Sequence, residues 1–393
     1  MGATYRFYLA LARLLNSHFN PVLKVVPDHM AVFAGCSPVI ENFARAIANE
    51  KENPQERDVL LTVAPYYSGF KSFTQANNIT LTPFPIKNFD TLGTLAEVDD
   101  LDAFYSSLSP EQRARVKGVI ICNPHNPLGR CYQRETIIEY ALWCEKINVH
   151  LVSDEIYALS VFPSEAVPHP VKFTSVLSID FVKEGLTYPA RIHVIYGLSK
   201  DFNSSGFRMG ALISQHNPDL VASVTPDAWY SQTGTPPDVM CSALLNQPDL
   251  LSKFITTNQS NLEEAYQFAT HWFKFHGIPY TNSNAGQFTV LDFTFILRQV
   301  DRYGPIVGFT SKTTPAEFEV IFRNFLKLKA KLLFGSGTAF GLPPGWFRFT
   351  FSIRRDYFIV GLKRLEVALQ WPHFPYPSEN RITEWFSDYF CGF

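Results

Sequence analysis

The sequence lacks the features that mark several large classes of protein. Among its 393 residues, no apolar run reaches the roughly 18 residues that a membrane-spanning helix needs. Lysine and arginine number 34 against 36 acidic residues, and no basic run stands out, which argues against a protein that binds nucleic acid by neutralising phosphates. Six cysteines are scattered without a CxxC pair or a metal-like spacing. We therefore expect no metal site, and reduced thiols in a soluble cytoplasmic protein.

The first residues also lack a targeting signal. Met1–Phe19 is apolar, but it is interrupted by Arg6 and Arg13 and has no small-residue cleavage site, which argues against a signal peptide. Gly2 would suit N-myristoylation, but position 6 is arginine instead of serine or threonine.

What the sequence does contain is material for a large buried core. Apolar residues make up 46% and charged residues 18%, which excludes a disordered chain. Its middle part alternates apolar strand candidates with helical stretches. The strand candidates are Val59–Val63, Ile79–Phe84, Gly118–Cys122, Val149–Ser153, Ile192–Tyr196 and Met209–Ser214, and the helix candidates are Pro38–Glu50, Leu101–Arg113 and Arg134–Ile147. This alternation predicts an α/β fold with a largely parallel sheet that is covered on both faces.

The pattern changes after about Gln247. Helices are predicted at Leu250–Phe275, Pro315–Lys329 and Arg354–Leu369, with a short strand at Phe288–Phe293. We interpret residues 30–247 as a large cofactor-binding domain. Residues 1–29 and 248–393 would form a smaller α+β domain, whose aromatic tail from Trp371 onward we expect to pack on the surface or on a partner subunit.

Two short segments place polar side chains at strand ends, where ligand groups gather in parallel sheets. Cys122–Gly129 (CNPHNPLG) has two Asn-Pro pairs, which make a rigid turn that can project an amide into a cleft. Val152–Tyr157 (VSDEIY) has an acid at the end of an apolar strand. In isolation, a segment like the first is more often an ordinary turn, and an acid like that of the second is more often a helix N-cap or a surface charge.

Two further segments carry cations. Tyr196–Lys200 (YGLSK) ends in a lysine and leads through a Ser/Gly-rich loop to Gly206–Gly210 (GFRMG). That lysine is either a Schiff-base amine or a solvated surface charge. Gly345–Phe351 (GWFRFTF) holds Arg348 inside an apolar strand, where it would meet either a ligand carboxylate or a structural ion-pair partner.

Together, in this order and spacing, the four segments resemble the class I/II pyridoxal-phosphate aminotransferases of fold type I. Within that family the chain is most similar to the 1-aminocyclopropane-1-carboxylate synthase-like branch, as APYYSGF at Ala64–Phe70 and GWFR at Gly345–Arg348 indicate. The resemblance extends from about Leu11 to Leu369. It implies a fold type I transferase with a large domain and a smaller α+β domain, a pyridoxal 5'-phosphate cofactor and a homodimer.

The resemblance also implies a role for each matching residue around the cofactor ring. Lys200 would attach the cofactor covalently and later move the Cα proton. Asp154 would pair with the pyridine nitrogen and so strengthen the ring as an electron sink. Asn126 and Tyr157 would hydrogen-bond the phenolic oxygen, with Asn126 also close to the substrate, and Tyr67 would stack on the ring face.

The remaining implied roles concern two anions. The backbone amides of Cys36 and Ser37, at a helix N-terminus, would bind the cofactor phosphate, and Ser199 and Arg208 would add a hydroxyl and a guanidinium. Arg348 would clamp the α-carboxylate of the substrate.

The predicted reaction is transfer of the amino group of an amino acid to a 2-oxo acid, in specialised (secondary) metabolism. The alternatives are a carbon–sulfur, β- or 1-aminocyclopropane-1-carboxylate synthase-like lyase with the same cofactor, and a non-catalytic binding protein on this fold. Two departures from the branch stand out. In that branch, the segment that matches Ala10–Asn16 normally follows several dozen residues that carry a substrate loop and a tyrosine. The residues before Ala10 in this sequence are too few to match them, so we do not expect true synthase activity. Cys36–Pro38 also replaces the Ala-Thr type of phosphate cup.

Overall fold

The computed structural model describes residues 4–49, 51–167 and 169–376. The strands are β1 Met30–Ala34, β2 Val59–Ala64, β3 Thr80–Pro85, β4 Val116–Cys122, β5 His150–Asp154, β6 Ile192–Gly197, β7 Met209–Ile213, β8 Phe288–Asp292, β9 Gly335–Ser336 and β10 Trp346–Thr350. The helices are α1 Tyr5–His18, α2 Cys36–Ile47, α3 Gly69–Gln75, α4 Leu95–Ser107, α5 Pro110–Ala114, α6 Arg134–Lys146, α7 Pro218–Tyr230, α8 Thr235–Leu245, α9 Pro248–Phe275, α10 Thr294–Leu297, α11 Val300–Tyr303, α12 Pro315–Phe325 and α13 Arg355–Leu369.

β1 to β7 form one sheet in the order β1-β7-β6-β5-β4-β2-β3. The pairs from β3 through β6 are parallel, whereas β7 is antiparallel to β6 and β1 is antiparallel to β7. β6 and β7 are buried along their whole length, which agrees with their continuous apolar sequences. The predicted α/β fold with a mostly parallel, mixed sheet is confirmed.

Strand direction brings all the predicted site residues except Arg348 to one edge of this sheet. β2, β4, β5 and β6 end there because they are parallel. β7 begins there and β1 ends there, because each runs antiparallel to its neighbour: Gly197 pairs with Gly210, and Ala34 pairs with Met209. In the middle of the edge, Cys122 pairs with Asp154.

The predicted strands of the large domain all exist, each within two residues of the predicted bounds. β1, with the sequence MAVFA, was not predicted, although it is as long as β5 and β7. The predicted helix Leu101–Arg113 was wrong in its bounds. The chain leaves α4 after Ser107 and starts α5 at Pro110, with Ser109 as N-cap in a capping box with Gln112.

The described residues form two compact units. One takes in the chain up to Pro163 together with Val167–Ser260 and Asn284–Gly286, and it contains the seven-stranded sheet. The other takes in Ser164–Ala166, Asn261–Ser283 and the described chain from Gln287 onward, with β8, β10 and β9 as an antiparallel sheet.

Residues 248–260 and the N-terminal segment were both assigned to the small domain, but they lie in the first unit. α1 lies in the first unit, where its apolar face is buried and where it contacts α8. Thr4 fixes the start of α1 there, since its backbone N–H and its hydroxyl donate to the buried carboxylate of Asp238 in α8, at 2.6 and 2.8 Å. An amphipathic helix belongs with whatever covers its apolar face, and local sequence does not name that partner.

The aromatic tail is described as far as Tyr376. Trp371 is buried in the second unit and donates from its ring nitrogen to the hydroxyl of Tyr303 at 2.8 Å. The carboxylate of Glu366 accepts a hydrogen bond from Tyr376 at 2.6 Å. The remainder of the predicted tail, 377–393, lies outside the described residues. Over the three described ranges, no helix combines the length and the apolar character needed to cross a membrane.

Candidate active site

A cavity of about 220 Å³ opens at the edge of the sheet where these strands meet. It is lined by nine of the ten predicted site residues: Cys36, Ser37, Tyr67, Asn126, Asp154, Tyr157, Ser199, Lys200 and Arg208. The tenth, Arg348, lies in the second unit. Segments that are up to 172 positions apart along the chain therefore contribute to one small space.

Asp154 provides a buried acid in this cavity. It is the last residue of β5 and only 4% exposed, and one carboxylate oxygen accepts the N–H of Ile156 at 3.3 Å. Burial raises the pKa of Asp154 to about 7, against the lowering effects of that hydrogen bond and of the positive charge of Lys200. A buried carboxyl of this kind gains most from a cationic N–H donor, which is what a protonated pyridine nitrogen would offer.

Lys200 follows β6 on a turn that a second buried acid holds in place. Asp201 accepts hydrogen bonds from the N–H of Leu159 at 3.0 Å, from the hydroxyl of Ser160 at 2.5 Å and from the hydroxyl of Tyr196 at 3.1 Å. Burial raises the pKa of Asp201 to about 7. This acid ties the chain after β5, which carries Tyr157, to the chain after β6, which carries Lys200.

The loops after β4 and β5 are fixed by buried polar side chains next to the predicted ones. Asn123 accepts the N–H of Tyr132 and donates to the carbonyl of Thr174, both at 3.0 Å. Glu155 accepts the hydroxyl of Ser175 at 2.6 Å, and burial raises its pKa to about 8. Because these buried hydrogen bonds fix the two loops, the amide of Asn126 and the phenol of Tyr157 have defined positions in the cavity wall.

One end of the cavity suits an anion. α2 begins at Cys36, so its first N–H groups face this end together with the guanidinium of Arg208. Arg208 has the left-handed backbone conformation, with φ of 54°, and donates to the carbonyl of Ser205 at 2.8 Å. Strained backbone at a non-glycine residue is commonest where function requires it.

The same end has space only because three glycines, Gly35, Gly197 and Gly210, carry no side chain. A Cβ at Gly35 would lie 2.1 Å from a guanidinium nitrogen of Arg208, and one at Gly210 would lie 2.5 Å from the carbonyl carbon of Gly35. Gly35 also has φ of +94°, which favours glycine. Backbone N–H groups, a guanidinium and a floor without side chains together fit a phosphate group. The residues present therefore fit pyridoxal phosphate, with the acid at the ring end and the cup at the phosphate end.

Two thiols that line the cavity have raised pKa values. Burial, and then the charge of Asp154, raise the pKa of both Cys36 and Cys122 well above the ordinary thiol range. The third glycine, Gly197, makes room for Cys36, since a Cβ there would lie 2.8 Å from its sulfur. The exchange of Ala-Thr for Cys-Ser in the phosphate cup is therefore accommodated by the strand behind it.

Arg348 lies at the centre of β10, paired with Val290 of β8 and Gly335 of β9. Its guanidinium lies over the rings of Phe340 and Phe288, 4.5 and 5.1 Å from their centres. A guanidinium whose flat face lies over aromatic rings still has its N–H donors, which lie in its plane, available for a carboxylate. Its role toward a substrate stays a prediction.

Sequence reasoning missed five residues that line the cavity: Ile40, Phe73, Cys122, Ile156 and Ser205. Two of them had a usable signal. Ile40 lies one helical turn after Ser37, and Cys122 is the last residue of a predicted strand whose neighbour ends in Asp154. The other three, Phe73, Ile156 and Ser205, line the cavity only because of how α3 and the loops after β5 and β6 pack on the sheet.

The fold and the cavity are those of a pyridoxal-phosphate enzyme of fold type I. The chain matches the family described as aminotransferase class I and II over residues 3–363, and it belongs to that family. The predicted family, enzyme class and cofactor, pyridoxal 5'-phosphate, are thereby confirmed.

The relatives of this chain include aminotransferases and a 1-aminocyclopropane-1-carboxylate synthase. The probable aminotransferase gliI of Aspergillus fumigatus is 29% identical over 375 residues, which cover 93% of this chain and 80% of that protein. Aminotransferase verI of Clonostachys rogersoniana is 30% identical over 378 residues, covering 94% and 77%. The 1-aminocyclopropane-1-carboxylate synthase 7 of Arabidopsis thaliana is 27% identical over 361 residues, covering 91% and 74%.

Solved structures share the fold at lower identity. Cystalysin from Treponema denticola, which contains pyridoxal 5'-phosphate, superposes with a TM-score of 0.74 at 19% identity, covering 94% of this chain and 83% of that one. Aspartate aminotransferase from Thermus thermophilus with maleate gives 0.72 at 17% identity, covering 93% and 81%.

Proposed function

We propose that this protein is an aminotransferase that moves the amino group of an amino acid to a 2-oxo acid, in specialised metabolism. One observation carries the proposal: an amine, a buried acid and a guanidinium, from Lys200, Asp154 and Arg208, line a single cavity of about 220 Å³. The printed names of gliI and verI, both aminotransferases from fungi, support the same reaction.

Around the ring, each side chain has a separate task. Pyridoxal phosphate, when bound, supplies an aldehyde for the amine and a ring that withdraws electrons from the substrate Cα. Asp154 holds a proton on the ring nitrogen, because its buried carboxylate is stabilised by that N–H. Asn126 and Tyr157 donate to the phenolic oxygen, and Tyr67 gives the ring a flat apolar face. Lys200 takes the proton from the substrate Cα.

The cofactor phosphate would be held at the other end of the cavity. The first N–H groups of α2, at Cys36 and Ser37, donate to its oxygens, and the helix dipole favours the negative charge. The hydroxyl of Ser199 and the guanidinium of Arg208 complete the cup.

Arg348 binds the α-carboxylate of the substrate in this proposal. A planar guanidinium can make two parallel hydrogen bonds to a carboxylate, which a lysine cannot. Fixing the carboxylate also fixes which bond at Cα is orientated for reaction.

We further propose that the protein is a cytoplasmic homodimer. Large apolar side chains are exposed near α1 and the end of α7, with Tyr5 at 67%, Trp229 at 63% and Tyr230 at 90% exposure, and an isolated monomer seldom leaves so many in one region. The five cysteines that the structure describes form no disulfide, which agrees with a reducing compartment. Light scattering after size-exclusion chromatography would give the mass, and a monomer at micromolar concentration would contradict the dimer.

The test is the visible absorbance of the purified protein with pyridoxal phosphate. We expect a visible band in the wild type, none in Lys200→Ala, and an unchanged band in the control Lys183→Ala, whose side chain is 81% exposed. A band in Lys200→Ala equal to that of the wild type would overturn the assignment.

The same sample separates the alternatives when amino acids are added without an oxo acid. Stable conversion of the cofactor to its amine form indicates transamination. The relative named 1-aminocyclopropane-1-carboxylate synthase 7 supports a second candidate, a lyase. With a lyase, the original band would come back, and ammonia or a thiol would be released by elimination, or a thioether by displacement of a sulfonium. If the wild type forms no band, the aminotransferase proposal fails, and the alternative of a non-catalytic binding protein is favoured.

A further inference from the structure

His125 lies between the two Asn-Pro pairs of the loop after β4 and does not itself line the cavity. It is 1% exposed and next to Asn126, one of the proposed cofactor contacts. Its backbone closes the loop, since its N–H donates to the carbonyl of Arg130 at 2.7 Å and its carbonyl accepts the N–H of Gly129 at 2.8 Å. The side chain of His125 is therefore held at the base of the loop.

The two ring nitrogens of His125 have fixed and different partners. Nε2 lies 3.0 Å from the carbonyl oxygen of Pro65, and because a carbonyl can only accept, Nε2 carries the hydrogen. Nδ1 lies 3.4 Å from the backbone N of Leu128, which can only donate, so Nδ1 is the acceptor. One neutral tautomer satisfies both contacts, and burial lowers the pKa of His125 to about 3, which keeps this form at ordinary pH.

The hydrogen bond to Pro65 joins two loops that face the cofactor from different strands. Pro65 follows β2 and precedes Tyr67, whose ring lines the cavity. Asn126 follows β4, the neighbour of β2 in the sheet. A contact at the base of both loops fixes the distance between the aromatic face of one and the amide of the other.

We propose that His125 is a positioning residue, which holds Asn126 and Tyr67 at the spacing that the cofactor ring requires. This inference rests on the proposed function, because it uses the roles assigned to those two residues. It adds a residue that touches neither substrate nor cofactor and that acts through a single donated hydrogen bond.

The test compares His125→Leu with His125→Gln. Leucine fills similar space but leaves the carbonyl of Pro65 without this donor, whereas the amide of glutamine can donate from near the Nε2 position. Thr136→Val is the matched control, because the buried hydroxyl of Thr136 also donates to a backbone carbonyl, that of Gly93, at 2.9 Å. Urea unfolding of the cofactor-free proteins shows that each variant folds and how much stability it has lost.

We expect His125→Leu to bind pyridoxal phosphate on the order of ten- to hundredfold more weakly, and His125→Gln within about threefold of wild type. Thr136→Val should lose similar stability and bind normally. The midpoint pH at which the visible band shifts in wavelength should also be higher in His125→Leu than in the wild type. The reason is that a displaced Asn126 no longer stabilises the ionised phenolic oxygen.

Two results would overturn the role of His125. One is a His125→Leu protein whose affinity and band equal those of Thr136→Val. The other is a His125→Gln protein as impaired as His125→Leu, which would indicate that ring packing matters and the donor does not. Failure of the proposed function itself is separately visible, as a wild type without a band or a Lys200→Ala protein that keeps one.

Discussion

Gly210→Ala provides a sharp test of the phosphate cup. Gly210 is the second residue of β7, and it pairs with Phe33 on one side and Gly197 on the other. A Cβ there would lie 2.5 Å from the carbonyl carbon of Gly35 and 2.6 Å from the backbone N of Cys36. Both are backbone atoms at the start of α2, so the helix must move to accommodate a methyl group.

The size of the effect follows from that displacement. Overpacking a close-packed site costs about 1–3 kcal/mol. If α2 moves to relieve the contact, the cofactor-free protein recovers part of this stability, but the N–H groups of Cys36 and Ser37 leave their phosphate-binding positions. The cost then appears in cofactor affinity, where about 1–3 kcal/mol corresponds to roughly a 5- to 150-fold weaker Kd.

The assay is a titration with pyridoxal phosphate, paired with urea unfolding of the cofactor-free protein. Gly206→Ala is the control. Gly206 lies in the segment just before β7, and a Cβ there would meet nothing within 4 Å. We expect Gly206→Ala to match the wild type in both measurements. If Gly210→Ala binds pyridoxal phosphate within about twofold of Gly206→Ala, the start of α2 does not hold the phosphate, and the reasoning fails.

Three further predictions follow from single groups. Asp154→Asn should still bind the cofactor but lose on the order of 10²–10³ in kcat, measured by single-turnover kinetics, and a loss under tenfold would contradict its role at the ring nitrogen. Arg348→Ala should raise KM for amino acids at least about tenfold at unchanged cofactor affinity, so an effect below about 1 kcal/mol would remove its carboxylate role. The rings of His150 and His193 share a hydrogen bond of 2.9 Å, and burial lowers the pKa of His150 to about 4. The folded protein therefore holds His150 neutral, so its stability is complete above pH 6.5, where the unfolded chain is neutral too. That stability is lost as the pH falls from 6.5 toward 4, because the unfolded chain binds the proton first. The unfolding free energy of the wild type relative to His150→Asn should therefore fall by about 1–3 kcal/mol between pH 7 and 4.5 in urea titrations, and a constant difference would contradict the shift.

The parallel strands could be predicted because burial on both faces leaves a strong local record. β4, β5 and β6 consist of nearly continuous apolar residues, and each is bounded by turn signals or helix starts. β1 was missed although it is as long as β5 and β7, which were predicted. The break at Pro110 had a local signal in Ser109 and Gln112, a capping box that separates α5 from α4.

The site shows the same contrast between local pattern and packing. Residues at strand ends, such as Asp154 and Lys200, were predictable because the direction of parallel strands decides where their loops lie. Asp201 and His125 were not, because their partners are Ser160, Tyr196 and the carbonyl of Pro65, which only the fold brings near. A side chain that acts by holding another loop carries no periodic signal.

By itself, the sequence determined the α/β class through strand periodicity and turn residues, and it indicated the cofactor through short motifs that resemble a known family, because all of these are local properties of the chain. The tertiary structure alone decided that β7 runs against the other strands and pairs with β1, which brings α2 and Arg208 to the edge where Asp154 and Lys200 lie. It also decided that three glycines leave space there. Those outcomes depend on contacts between segments far apart in the chain, which are settled only when the whole sheet packs.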